Sequence, residues 1–122
     1  MNKILVVDDD RIIGEMLKFA VGSKGYFAVI SNKPEQTVHN IFHNGIDLVM
    51  LDLFIFGVSG IEVCKELREN ETTAQVPILM MSGLSGVKKK CLAAGATDFI
   101  SKPFEMKTLF SKIETILTQK NV

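Results

Sequence analysis

Reactive side chains of three kinds stand at four places along this chain. They are the acids Asp8, Asp9 and Asp10 in "ILVVDDD", the lone acid Asp52 in "LVMLDLFIFGVSG", the hydroxyl of Ser82 in "PILMMSG" and the amine of Lys102 in "DFISKPF". Acids that converge in one crevice repel one another and raise one another's pKa unless a positive charge intervenes. A hard divalent cation such as Mg2+ meets that need, because it takes carboxylate oxygens, waters and a phosphate as ligands. Lys102 adds a second positive charge and Ser82 a hydroxyl. Such a set could hold an anionic group with three oxygens on or beside Asp52, one oxygen toward the metal, one toward Lys102 and one toward Ser82 and the Gly83 amide. Asp52 then stands where a nucleophile would, since a carboxylate attacking a phosphoryl group needs positioning and charge neutralisation more than it needs a base. Taken singly, each residue has a plainer explanation. Asp10 suits a helix N-cap, and Asp8 or Asp9 could do the same. Asp52 could cap a loop, Ser82 could turn the chain, and Lys102 before Pro103 could be solvated surface. The argument for a site is that residues of the right types fall at the ends of four separate strands.

The elements that must position them alternate along the chain. The runs 3–7, 47–51 and 77–81 are short and wholly apolar, the pattern of strands buried on both faces. Residues 26–30 and 98–101 read as more mixed strands. Between and after them, helical spacing of apolar residues appears over 10–24 (Ile12, Ile13, Met16, Leu17, Ala20, Val21), 34–44 (Val38, Ile41, Phe42), 60–70 (Ile61, Cys64, Leu67), 86–94 and 105–119 (Leu109, Ile113, Ile116, Leu117). This is an α/β fold of the (βα)5 type, a doubly wound five-stranded parallel sheet covered on both faces. The flavodoxin-like order 2-1-3-4-5 puts the three apolar strands in the middle and the mixed ones at the edges. Ligands bind such sheets outside the carboxyl ends of the strands, at a switch point that here lies between strands one and three. Those two strands are neighbours about 5 Å apart, so the acids after them converge.

Composition narrows the field. The 122 residues, 47% of them hydrophobic, suffice for one domain spanning 1–122 with its own core, and the formal net charge of zero gives no field toward nucleic acid or an anionic membrane. No apolar run approaches membrane-spanning length, and "MNKILVVDDD" has no secretion-signal pattern. The two cysteines, Cys64 and Cys91, lie in helical segments and suit packed thiols of a cytoplasmic protein. His39 and His43 have metal-compatible spacing but no evident third ligand, and Lys88 to Lys90 read as a solvated helix face.

The quoted stretches, with "GATDFISKPF", together resemble the response-regulator receiver domain of two-component signalling over essentially the whole chain. The resemblance implies a phosphoacceptor regulator of the single-domain, chemotaxis-regulator type, or the excised receiver of a longer protein. Asp52 would accept phosphate from a phosphohistidine on a sensor histidine kinase or phosphotransfer protein. Asp9, Asp52 and the Phe54 backbone carbonyl would ligate Mg2+, with Asp8 acting through a bound water. Lys102 would bind the phosphate, with Pro103 beyond a cis bond. Ser82 and Phe99 would be the switch hydroxyl and switch aromatic that convey phosphorylation to an unknown downstream protein. Such a domain is not an enzyme on external substrates; it catalyses only its own phosphorylation and slow dephosphorylation.

The chain departs from the family pattern at Phe56, where Pro is usual, at Ser59, where Asp is usual, and over Ser82 to Gly95, about two residues shorter than usual. The last departure counts against the usual dimer through helices four and five. Phe54 and Leu84 take the positions that flank the phosphoryl group. Neither can hydrogen-bond an attacking water, which implies a long-lived phosphate, unless Phe54 simply packs against a helix. Three rivals compete. A pseudo-receiver that binds protein without being phosphorylated is disfavoured by the complete set of Asp8, Asp9, Asp52, Ser82 and Lys102. A haloacid-dehalogenase-like phosphatase wants a second acid where Phe54 stands. A nucleotide or flavin domain wants a Gly- or Ser/Thr-rich loop where "DDDRIIG" stands.

Overall fold

The computed structural model describes residues 2–120. Its elements are β1 (Lys3–Val7), α1 (Arg11–Gly22), β2 (Phe27–Ser31), α2 (Thr37–Asn44), β3 (Leu48–Asp52), β4 (Phe54–Ile55), β5 (Val58–Ser59), α3 (Gly60–Glu69), β6 (Ile78–Ser82), α4 (Lys88–Ala93), β7 (Asp98–Ser101) and α5 (Met106–Lys120). Five strands form one parallel sheet in the order β2-β1-β3-β6-β7, the order expected for five consecutive strand–helix units. The apolar strands β1, β3 and β6 are central, and the mixed strands β2 and β7 are the edges.

Alternation along the strands divides the core in two. Leu5, Val7, Val49, Leu51, Ile78, Met80 and Phe99 face α2, α3 and α4, through residues such as Ile41, Cys64, Leu67 and Cys91. Ile4, Val6, Leu48, Met50, Leu79, Met81 and Ile100 face α1 and α5, through Leu17, Val21, Leu109 and Ile113. Both cysteines are buried free thiols, as their helical apolar settings suggested.

Several boundaries differ from the sequence expectation. The strands expected at 26–30, 47–51 and 77–81 each lie one residue later, so Asp52 and Ser82 are the last residues of β3 and β6 rather than loop residues. The hydrogen bonds that continue past them explain the shift: Leu53 N donates to Met81 O at 3.0 Å, and Lys102 N to Ser82 O at 2.8 Å. The segment 34–44 begins as a 3-10 turn, Pro34–Gln36, because the Thr37 hydroxyl takes the Pro34 carbonyl at 2.7 Å, and α2 starts only at Thr37. The fourth helix shrinks to six residues, since Gly86 in the left-handed region (φ 74°) holds the chain out of helix until Lys88. On α1 the inward positions are Gly14, Leu17 and Val21, whereas Ile12 and Met16 lie one flank away, Ile12 at 81% exposure. Gly14 sits so close to Ile30 that any side chain there would press on it. On α2, Ile41 is buried and Phe42 exposed.

The segment after Asp52 was expected as a loop and is instead a two-residue-turn hairpin. Phe54 pairs Ser59 and Ile55 pairs Val58. The turn residues Phe56 and Gly57 both have positive φ, 50° and 79°, the conformation that matches the twist of a tight hairpin.

Candidate functional site

The site lies at the carboxyl edge of the sheet, where β1 and β3 run side by side. Their register pairs Val7 with Leu51, so the residues that follow, Asp8 and Asp52, emerge together. Asp8, Asp9 and Asp52 each present a carboxylate oxygen, and these oxygens lie within 4.8 Å of one another. Lys102, just past β7, reaches back across β6. Its Nζ sits 2.9 Å from Asp8 Oδ2 and 3.1 Å from Asp52 Oδ1. The Asp8 side chain is fully enclosed, whereas those of Asp52 and Lys102 keep 14% and 18% of their surface.

The three acids after β1 are tied to different backbone amides. Asp8 Oδ1 accepts the Asp10 amide at 2.9 Å. Asp9 Oδ2 accepts the Phe56 amide at 2.9 Å, across 47 residues of sequence. Asp10 turns away to cap α1, accepting the Ile12 and Ile13 amides at 3.0 and 3.2 Å, as its type and place suggested. Ser82 is buried at 3% exposure, and its Oγ accepts the Leu84 amide at 3.0 Å. A hydroxyl accepting there keeps its own proton to donate elsewhere. Phe99, 8% exposed, pairs in register with Met80, and both side chains belong to the α3–α4 half of the core. Ser82 lies two residues beyond Met80 and so shares that face. The Lys102–Pro103 bond is cis, as the resemblance implied. Phe54 and Leu84 are 53% and 52% exposed at the rim, so about half of each side chain is left uncovered.

The electrostatics follow from these neighbours. Burial pushes the Asp52 carboxyl above its ordinary range, and the charge of Asp8 pushes it further, while Lys102 pulls it partly back. Burial alone would lower Lys102, but its hydrogen bond to Asp8 and the charges of both acids outweigh that and hold it up. One lysine thus serves two carboxylates, and with Asp9 beside them the acids still outnumber the cation. Hard oxygen donors clustered in this way fit a small divalent cation. Such an ion takes carboxylate oxygens and waters as its ligands.

Sequence reasoning singled out Asp8, Asp9, Asp52, Ser82, Lys102 and Phe99, and the fold brings the three acids within 4.8 Å of one another and sets Lys102 against Asp8 and Asp52. Two features escaped it. One is the lysine's direct ion pair with Asp8, which needs the full three-strand path to be known. The other is the Phe56 amide on Asp9, for which Gly57 after an aromatic was the sole hint of a tight turn.

Gly60 fixes the floor of the site. A Cβ there would collide with the Asp52 carbonyl oxygen, and the Gly60 amide donates to Leu53 O at 2.5 Å. Only glycine lets the start of α3 lie against the end of β3. At the hairpin tip Phe56 holds a left-handed backbone that costs a residue with a Cβ about 1–3 kcal/mol.

Comparison with known proteins gives a consistent picture. The family model of the response regulator receiver domain matches residues 4–114. The phosphate regulon transcriptional regulatory protein PhoB of Pseudomonas aeruginosa is 34% identical over 116 residues, covering 93% of this chain and 51% of that protein. The chain spans about half the length of the curated relatives it matches. A two-component response regulator from Clostridium difficile superposes with a TM-score of 0.90 at 27% identity, covering all of both chains. The receiver domain of sensor histidine kinase PA1611 from Pseudomonas aeruginosa, solved with a magnesium ion coordinated in its active-site cleft, shares the fold. Its TM-score is 0.86 at 24% identity, covering 96% of this chain and 98% of that one.

Proposed function

The chain belongs to the response regulator receiver domain family, and from that premise we propose that it is a phosphoacceptor switch whose Asp52 takes a phosphoryl group from a histidine kinase or phosphotransfer protein. The observation that carries this reading is the double ion pair of Lys102 with Asp8 and Asp52, beside Asp9, at the open edge of the sheet. An Asp52 carboxylate oxygen attacks phosphorus in line, the P–N bond to the donor imidazole breaks, and its electron pair returns to that nitrogen. The acyl phosphate left on Asp52 carries nearly two negative charges. Lys102, already 3.1 Å from Asp52, stays against it and neutralises part of that charge. Asp9, Asp52 and the Phe54 carbonyl would hold Mg2+, with Asp8 acting through a water. When bound, the ion offsets the repulsion among the acids and the incoming phosphoryl oxygens.

The switch follows from the same charge. The Ser82 hydroxyl, free to donate, turns toward the phosphoryl oxygens, and Phe99 moves into the space on its face of β6 and β7. A groove of about 590 Å3 lined by Leu84, Val87, Phe99, Pro103 and Phe104 changes shape with it and alters what a downstream protein meets. Among the described residues no helix is long and apolar enough to cross a membrane. The domain 1–122 would work in the cytoplasm without touching nucleic acid itself.

Intact mass after incubation with Mg2+ and acetyl phosphate tests the proposal. Wild type should gain one phosphoryl group, Mg2+-dependently, and Asp52→Asn should gain none. A wild type that stays unmodified with every competent donor would leave a protein-binding module that is never phosphorylated.

A further inference from the structure

We propose that the backbone amide of Phe56, presented by the β4–β5 hairpin, is a positioning group for the cation site through its hydrogen bond to Asp9. The inference rests on the reading of Asp9 as a cation ligand. Three observations carry it. The Phe56 amide donates to Asp9 Oδ2 at 2.9 Å, joining the tip of the hairpin to the end of β1. Phe56 has φ 50°, a backbone that residues with a Cβ rarely adopt. Its ring is 65% exposed, so burial of the side chain does not enforce that conformation. What the conformation does achieve is the direction of the amide. A proline, usual here in the family, could neither adopt this φ nor donate a hydrogen bond.

The consequence for the site is geometric. Lys102 holds Asp8 and Asp52, whereas the Asp9 carboxylate is held by the Phe56 amide. The amide takes one lone pair of Oδ2 and leaves the remaining lone pairs of the carboxylate for an ion. Outer hydrogen bonds of this kind fix the orientation of metal-ligating carboxylates, and their loss typically weakens metal binding ten- to a hundredfold, on the order of one to two decades. The base of the same hairpin carries the Phe54 carbonyl, the other proposed ligand, and is anchored by the fully buried Ile55. The hairpin therefore fixes two ligands from two parts of the chain as a unit.

Three variants and one exchange measurement test this. Mg2+ affinity is read by calorimetry on wild type, Phe56→Gly, Phe56→Pro and Asp9→Ala. Phe56→Gly keeps the amide and welcomes positive φ, and should bind Mg2+ within about threefold of wild type. Phe56→Pro should bind about tenfold more weakly, equivalent to about 1.4 kcal/mol. In autophosphorylation with acetyl phosphate, Phe56→Pro should raise the Mg2+ concentration for half-maximal rate while the rate at saturating Mg2+ stays near wild type. In wild type the residue-56 amide should exchange slowly with solvent for an exposed turn, and Asp9→Ala should release it; this reading needs no folded proline variant. Equal Mg2+ affinity in Phe56→Pro and wild type, or equal loss in Phe56→Gly and Phe56→Pro, overturns the inference while leaving the cation site standing. A residue-56 amide that exchanges freely in wild type overturns it as well. A wild type that binds no Mg2+ overturns the site reading and this inference together.

Discussion

Asp52 holds its charge against its surroundings, and that tension is measurable. Its folded pKa lies above its ordinary value because of burial and then Asp8, so the native state binds the proton more tightly than the unfolded chain does. Its contribution to stability is therefore greatest below about pH 3.8, declines as pH rises through the folded value, and stays lower above it. In the absence of divalent cation, Asp52→Asn should be more stable than wild type at neutral pH, and the difference should shrink toward acid pH; urea unfolding across that range checks it. Lys102 has the opposite sense: its folded pKa is raised, so its contribution is full below 10.5 and is lost as pH climbs through the folded value. Mg2+ should reverse the ranking of the two proteins. At a hundred times its Kd the ion adds about 2.7 kcal/mol to wild type, and far less to Asp52→Asn. A second residue-scale expectation concerns phosphate lifetime. Phe54 and Leu84 stand half-exposed at the rim, where neither can orient a hydrolytic water. Phe54→Asn and Leu84→Glu should speed loss of the phosphate about three- to tenfold, a change of roughly 1 kcal/mol in barrier. Decay of the phosphorylated mass with time measures it, and unchanged rates in both would assign these side chains to a partner surface instead.

At the scale of elements, the site is made by strand ends and by what is tied to them. Gly60 lets α3 begin directly against the Asp52 carbonyl. Gly60→Ala should therefore cost about 1–3 kcal/mol of stability, as overpacking does, and should lower the rate of phosphorylation by moving the end of β3. Thermal melts and phosphorylation rates on the same sample separate the two effects. Farther from the site, Arg68 of α3 donates to the carbonyls of Gly95, Ala74 and Val76 at 2.8, 3.2 and 2.6 Å, stapling α3 to the connections on either side of β6 and α4. The strands and their order were readable because wholly apolar runs report burial on both faces, and the meeting of the acids with the lysine was readable because the residues after such strands gather at one edge of the sheet. The hairpin was not readable. "LFIFGVSG" lacks the Asn-Gly or Asp-Gly pair that marks a tight turn, and the left-handed Phe56 is held by Asp9, a contact that exists only once β1 and β3 are side by side. The inner face of α1 was misplaced for a related reason: Gly14, which carries no hydrophobic signal, is the residue that approaches β2, so Ile12 is turned to solvent.

At the scale of the whole molecule, the sheet separates two tasks. Its α1–α5 half backs onto the carboxylates, and Ile13, Met16, Phe104 and Met106 line an apolar groove next to Lys102. Its α3–α4 half carries Phe99, which lines the larger groove, with Ser82 on the same face. The lysine links the two, since its side chain pairs with Asp52 while its backbone amide bonds the Ser82 carbonyl. All of this depends on one covalent event at one residue. An acyl phosphate, unlike a phosphoserine or phosphohistidine, is reduced by borohydride to an alcohol, which turns the phosphorylated aspartate into homoserine. The most direct measurement is peptide mass mapping of the protein after Mg2+, acetyl phosphate and borohydride. Homoserine at position 52 and at no other aspartate is the predicted result. Homoserine at Asp8 or Asp9, or none anywhere while the protein remains folded and binds Mg2+, would contradict the account.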